Sequence, residues 1–179
     1  MLNSYGQKSP IKFKRVINTE YLAEISELYN KYIENLEDDF SPLRSSPQKL
    51  TDYTIKTSPY FYVILSDNNF CGFIVLENIV GNKNHIHSAE VLICLKRKYW
   101  GKTALLAAKI FKQYCFSILK IVKLKALIYP QNSLIKRLLK KCGFKKEALL
   151  KSETLKNNKP QDIEIYVLFN KEKGGSNAL

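Results

Sequence analysis

Ala89-Glu90-Val91-Leu92-Ile93-Cys94-Leu95-Lys96-Arg97-Lys98-Tyr99-Trp100-Gly101-Lys102 is the stretch on which the reading of this fold turns. The apolar run 91–95 reads as a strand. Residues 96–102 read as a basic turn, and from Thr103 onward Ala104, Ala108, Phe111, Cys115, Ile118 and Leu119 mark one side of a helix. A strand feeding a helix through a turn leaves backbone N–H groups unpaired at the positive end of the helix, here beside added cations. Such a place suits a polyanion, either a phosphorylated cofactor or a nucleic acid.

The charge distribution sharpens that choice. From Val91 to Lys146 the chain carries fifteen Lys or Arg and no Asp or Glu. Residues 1–90 hold nine bases and eleven acids and residues 147–179 hold five of each, so this block accounts for the net charge of +13. With 45% hydrophobic and 12% aromatic residues the chain reads as a folded globule, not a disordered basic tail. Its length predicts one domain over residues 11–170, with flexible ends at 1–10 and 171–179. Cys71, Cys94, Cys115 and Cys142 are far apart and form no zinc-type spacing, and His85 and His87 lack partners, so no metal is expected. Buried reduced thiols, no signal-type start in residues 1–8 and no uncharged run of membrane-spanning length point to a cytoplasmic protein with no membrane partner.

Outward from the central stretch, residues 12–16 read as a short strand, and Asn18, Thr19 and Glu20 offer caps to a helix. Leu22, Ile25, Leu28, Tyr29, Tyr32, Ile33 and Leu36 recur at three- and four-residue steps, predicting one helix that ends at Glu37-Asp38-Asp39 and Pro42. Ser46-Pro47 opens a shorter helix to about Ile55. Residues 60–66 and 70–77 read as a hairpin around Asp67-Asn68-Asn69, and a turn at 81–84 leads to a strand over 85–95. A strand over 122–129, a helix over 133–141 capped by Gly143, and a segment 146–156 turning at 157–160 into a strand over 162–169 complete the chain. The order β-α-α-β-β-β-α-β-α-β-β predicts an α+β (α/β/α-type) fold: a mixed, mostly antiparallel central sheet of about six or seven strands, flanked by helices.

Over roughly residues 11–170 this order resembles the GNAT N-acetyltransferase superfamily, specifically its ribosomal-protein N-terminal acetyltransferase-like branch. Residues 89–102 are similar to that branch's fourth strand and following turn, down to Tyr99-Trp100-Gly101-Lys102. Asn132, followed by Lys141-x-Gly143-Phe144, is similar to its second motif. The resemblance implies acetyl-CoA (coenzyme A) as cofactor, with the pantetheine arm against backbone of Cys94 and Leu95. It implies a pyrophosphate on the turn Trp100, Gly101, Lys102, Thr103, Ala104 and Leu105, with Asn132 as a further contact. The usual turn has small residues where this chain has Thr103 and Leu105, and glycine there lets backbone approach phosphate without a Cβ in the way.

Amide formation from a thioester needs a neutral amine, a polarised carbonyl and a proton for the leaving thiolate. Glu90, separated from Val91 and Ile93 by strand alternation, is the candidate base, and apolar neighbours are expected to raise its pKa. The positions used by relatives for a leaving-group acid are Ile135 and Leu139 here, leaving Ser133 and Tyr129 as candidate donors. Two functions follow. One is an N-acetyltransferase moving an acetyl group to a primary amine, on a protein N-terminus or a small molecule, by direct attack in a ternary complex. An RNA-associated or ribosomal acceptor is one version of it. The other is a GNAT-fold basic module that has lost catalysis and binds nucleic acid or a protein partner. The acceptor and the oligomeric state stay open.

Overall fold

The computed structural model describes residues 10–17, 20–40, 47–82 and 84–170. Its elements are β1 (Ile11–Arg15), α1 (Leu22–Lys31), α2 (Ile33–Leu36), α3 (Pro47–Thr57), β2 (Phe61–Ser66), β3 (Asn69–Asn82), β4 (His85–Leu95), α4 (Lys102–Ser117), β5 (Lys123–Ile128), α5 (Ser133–Cys142), β6 (Lys145–Lys156) and β7 (Lys159–Phe169). One seven-stranded sheet holds them in the order β1-β2-β3-β4-β5-β7-β6, antiparallel throughout except for β4 beside β5. That parallel pair is joined by α4, the strand-helix-strand unit expected from the sequence.

Strand alternation sorts the apolar side chains onto two faces. Tyr62, Ile64, Ile74, Leu76 and Leu124 face one way and enclose Phe111 of α4 with Leu139 of α5. Phe61, Val63, Phe73, Val75 and Cys94 face the other way against Ile25, Leu28 and Tyr29 of α1 and Leu50 of α3. Burying a side chain such as Phe111 contributes about 1.5–3 kcal/mol. The turns are cut by asparagine-rich pairs that tolerate positive φ: Asp67-Asn68 between β2 and β3, and Asn157-Asn158 between β6 and β7.

Several expected elements are redrawn. The single helix over residues 22–36 is two pieces, because Tyr32 leaves helical geometry (φ −117°, ψ 16°) and packs its ring 5.8 Å from that of Trp100. Helix α1 begins after Tyr21 in a left-handed conformation with no side-chain cap, and Glu20 instead pairs with Lys14 at 2.6 Å. The caps expected at Asn18, Thr19 and Ser46, the break at Pro42, and both chain ends lie outside the described residues. On α4 the buried set is Ala104, Ala107, Phe111 and Cys115, with Ile118 exposed, since the helix stops at Ser117. Strand β3 runs five residues past its expected end at Glu77, to Asn82. All four cysteines are free and buried. Among the described residues no helix is long and apolar enough to cross a membrane, and no cluster of His, Cys, Asp or Glu is placed to hold a metal ion.

Candidate active site

The parallel pair β4–β5 forms only at Ser88, Ala89 and Glu90, opposite Lys123, Leu124 and Lys125. Beyond Glu90 the strands part, while β5 stays paired with β7 through Ile128. The gap opens into a cleft of about 550 Å³, walled by the end of β4, the start of α4, the end of β5, the start of α5, and Tyr32, Asn35 and Leu36.

Register shows what this gap offers. Lys96 N–H donates to Cys71 O, which makes Leu95 and Gly72 a non-hydrogen-bonded pair with β3. By alternation the backbone N–H and C=O groups of Ile93 and Leu95 therefore point away from β3, into the space β5 has vacated. They present the hydrogen-bonding edge of a strand that lacks a neighbour, the arrangement that accepts an added extended chain. One group is already used: the Trp100 indole N–H donates to Leu95 O at 2.9 Å.

At the far end of this edge the chain turns through Gly101 (φ 86°, ψ −116°), the N-cap of α4. A Cβ built on Gly101 meets nothing within 4 Å, so glycine is kept by backbone angle and faces open space. Leu105 N–H closes the first helical hydrogen bond to Gly101 O. Helix geometry leaves the N–H groups of the turn before it without intrahelical partners, and no acid occupies the first turn. These donors fit a phosphate group. Of the neighbouring cations, Lys96 lies over the Phe70 ring and Lys98 over the Tyr99 ring.

Of the expected cofactor contacts, Cys94, Leu95, Trp100, Gly101, Ala104, Leu105 and Asn132 line the cleft, whereas Lys102 and Thr103 lie outside its lining. Leu105 packs against the core as part of the wall and does not close the cleft. The Cys94 side chain belongs to the α1–α3 face, and burial pushes its thiol up to about 12. Asn132 is the N-cap of α5, accepting from Ile135 N–H at 3.3 Å. That leaves Ser133 exposed at the cleft and not acting as the cap.

At the paired end, Glu90 stands directly opposite Glu77 of β3, and both line the cleft. The apolar neighbourhood expected for Glu90 is not found. Its Oε1 accepts from Lys125 Nζ at 2.9 Å and its Oε2 from Asn78 Nδ2 at 2.8 Å. Glu77 accepts from the Tyr53 hydroxyl at 2.8 Å. Burial raises the pKa of Glu77 above the ordinary carboxylate value and the charge of Glu90 adds to this, against the opposing Tyr53 hydrogen bond. Tyr53 is itself raised by burial and by Glu77. Tyr129, the other expected donor, is buried with its hydroxyl on Glu37 O at 2.9 Å, and it does not line the cleft. His85 and His87 are exposed on β4, away from these groups.

Glu77 was not singled out from the sequence. A count outward from Asn82 opposite His85 brings residue 77 level with residue 90 only because two register shifts between them cancel. Tyr32, Asn35 and Tyr53 carried no sequence signal, because helix-to-sheet packing brings them in.

A strand edge without its neighbour runs from a carboxylate pair to a glycine-turned helix start, a shape and donor set that fit an extended, phosphate-ended ligand. Comparison with known proteins assigns the class. Residues 23–145 match the acetyltransferase (GNAT) domain family, and the chain belongs to that family, whose acetyl donor is acetyl-CoA. It is 29% identical over 152 residues to the spermidine N(1)-acetyltransferase of Escherichia coli strain K12, covering 84% of this chain and 68% of that one. The fold superimposes with a TM-score of 0.76 on a spermidine N-acetyltransferase from Vibrio cholerae solved with CoA and spermine, at 22% identity over 91% of this chain and 97% of that one. The ribosomal-protein-S5-alanine acetyltransferase from Vibrio fischeri gives 0.72 at 18% identity, over 92% and 95% of the two chains.

Proposed function

We propose that this protein transfers the acetyl group of acetyl-CoA to a primary amine by direct attack within a ternary complex. The observation that carries the reading is the continuity of the cleft. Glu90 and Leu95 are five steps apart on β4, about 16 Å at strand rise, so one extended arm can span from the carboxylate pair to the Gly101 turn.

Acetyl-CoA supplies the activated acyl carbon. Ile93, and Leu95 through its N–H, would hold its arm by backbone hydrogen bonds, and the Gly101 turn with the first amides of α4 would hold the phosphates. Glu77 and Glu90 attract the incoming ammonium group. Glu77, whose pKa burial raises above the ordinary carboxylate value, takes the amine's proton, while Glu90 is held in its ion pair with Lys125. Ser133, exposed at the start of α5, is the hydroxyl we assign to relaying a proton from solvent water to the leaving thiolate, taking one proton as it gives one. Polyamines of the spermidine type head the acceptor class, on the strength of the spermidine-acetylating relatives and of two carboxylates at the acceptor end.

The reading is tested by thiol release from acetyl-CoA in the presence of spermidine, with a fully N-methylated polyamine as control. Release with the first and none with the second is expected. No thiol release with any primary amine, together with no heat of CoA binding in calorimetry, refutes it.

A further inference from the structure

Strand alternation puts Glu90 and Val91 on opposite faces of β4. Glu77 and Glu90 lie on the face that carries α3, where the Tyr53 hydroxyl meets Glu77. Val91 and Ile93 stand opposite Leu76 and Ile74, whose side chains belong to the core under α4 and α5. An amine drawn to the two carboxylates therefore reaches a reacting carbon beside Val91 from one side of the sheet. Whatever that carbon carries is directed to the other side.

On that other side lies a second, smaller cavity of about 40 Å³. Val91, Ile93, Leu138 and Leu139 line both this cavity and the cleft, so the two adjoin. Ala108 and Phe111 of α4, Leu124 of β5 and Cys142 of α5 complete its walls. Lys112 also reaches it, but sends its Nζ to Cys142 O at 3.3 Å and leaves its aliphatic stem at the wall. Burial raises the Cys142 thiol above its ordinary pKa against the charges of Lys112 and Lys109, and a neutral thiol packs as a small apolar group. Such walls offer a water molecule too few partners and favour an apolar occupant. One water-sized group needs ~10–15 Å³, so there is room for about one or two carbons.

We infer that this cavity receives the tail of an acyl group longer than acetyl, so that the cleft binds propionyl and butyryl thioesters of coenzyme A more tightly than the acetyl one. The inference rests on the proposed acyl transfer and widens its donor class. The chemistry is the same for each donor. The amine nitrogen forms its bond to the acyl carbon, and the carbon–sulfur bond breaks with its electron pair going to sulfur. One proton passes from nitrogen to Glu77, and one reaches sulfur by way of Ser133. Because the tail and the amine lie on opposite sides of β4, lengthening the first does not obstruct the second.

Isothermal titration calorimetry on the full chain tests this with acetyl-, propionyl-, butyryl- and hexanoyl-CoA, beside thiol release from each with spermidine. At about 4-fold per buried methylene, propionyl-CoA should bind about 4-fold and butyryl-CoA about 15-fold tighter than acetyl-CoA, with no further gain for hexanoyl-CoA. Ala108→Val and Cys142→Val add methyl bulk to the cavity from α4 and from α5, and neither residue lines the cleft. Each should remove most of the butyryl advantage and leave circular dichroism, acetyl-CoA affinity and acetyl transfer as in wild type. Equal affinity for the acetyl and propionyl thioesters, with acetyl transfer to spermidine intact, overturns the inference and leaves the proposed activity standing. An advantage that persists in both folded variants puts the tail elsewhere and overturns it as well. Failure of every thioester to bind removes the inference and the proposed activity together.

Discussion

Replacing Gly101 by Ala separates the two things this residue does. With φ at 86° the backbone lies where a side chain is strained, a cost of about 1–3 kcal/mol. Nothing lies within 4 Å of the added Cβ, so no steric penalty adds to it in the free protein. At about 2–4 °C per kcal/mol for a chain of this size, the midpoint of thermal unfolding should fall by about 2–12 °C. The same Cβ stands in the space where the turn would approach phosphate. Coenzyme A at 100 times its Kd stabilises wild type by about 2.7 kcal/mol, and a 100-fold weaker complex would retain only about 0.4 kcal/mol. Differential scanning fluorimetry with and without coenzyme A should therefore show a lower midpoint and an almost absent ligand shift in the variant. A lowered midpoint with the full ligand shift refutes the phosphate cradle, and an unchanged midpoint refutes the backbone argument itself.

Other outcomes follow from the carboxylates. Glu77→Gln should lower kcat by about 10²–10⁴-fold, the usual worth of a general base. Glu90→Gln removes a charge that raises the Glu77 pKa, so the acidic limb of the kcat/KM profile should move to lower pH. An unmoved limb with activity as low as in Glu77→Gln would assign the base role to Glu90. Asp39 accepts from the N–H groups of Asn157 and Asn158, at 2.9 and 2.8 Å, and so clasps the segment after α2 to the β6–β7 turn. Asp39→Ala should cost about 1–2 kcal/mol in urea unfolding and raise the acceptor KM more than it lowers kcat. Burial works against the ionised form of Glu164, but Lys146 and Lys136 outweigh it and hold its pKa below the ordinary value. Stability from this group is therefore complete above the unfolded pKa and lost as pH falls through the folded one. Glu164→Gln should flatten the acid limb of the stability curve, as read by urea midpoints between about pH 3 and 6.

Local chemistry made much of this molecule legible in advance. The apolar run 91–95, the basic turn and the helix after it are short-range patterns, and the structure builds β4 and α4 from them. The hairpin about Asp67-Asn68 was legible for the same reason. The break at Tyr32 was not: the apolar spacing continues unbroken through it, and the gain that ends the helix is a contact with Trp100 far along the chain. Tyr129 looked like a donor beside the cleft by sequence distance from Asn132, yet packing turns its hydroxyl to Glu37 O.

Periodicity and charge, both properties of neighbouring residues, thus determined the elements, the acid-free block and the strand-turn-helix that suits an anion. Tertiary structure decided what those elements enclose. The parting of β4 from β5 after Glu90 depends on β5 keeping β7 as its partner, a pairing between residues about 40 apart that no local pattern encodes. That long-range choice frees the edge at Ile93 and Leu95. Folding β3 back on β4 sets Glu77 against Glu90, and packing of α3 on that face brings the Tyr53 hydroxyl to Glu77.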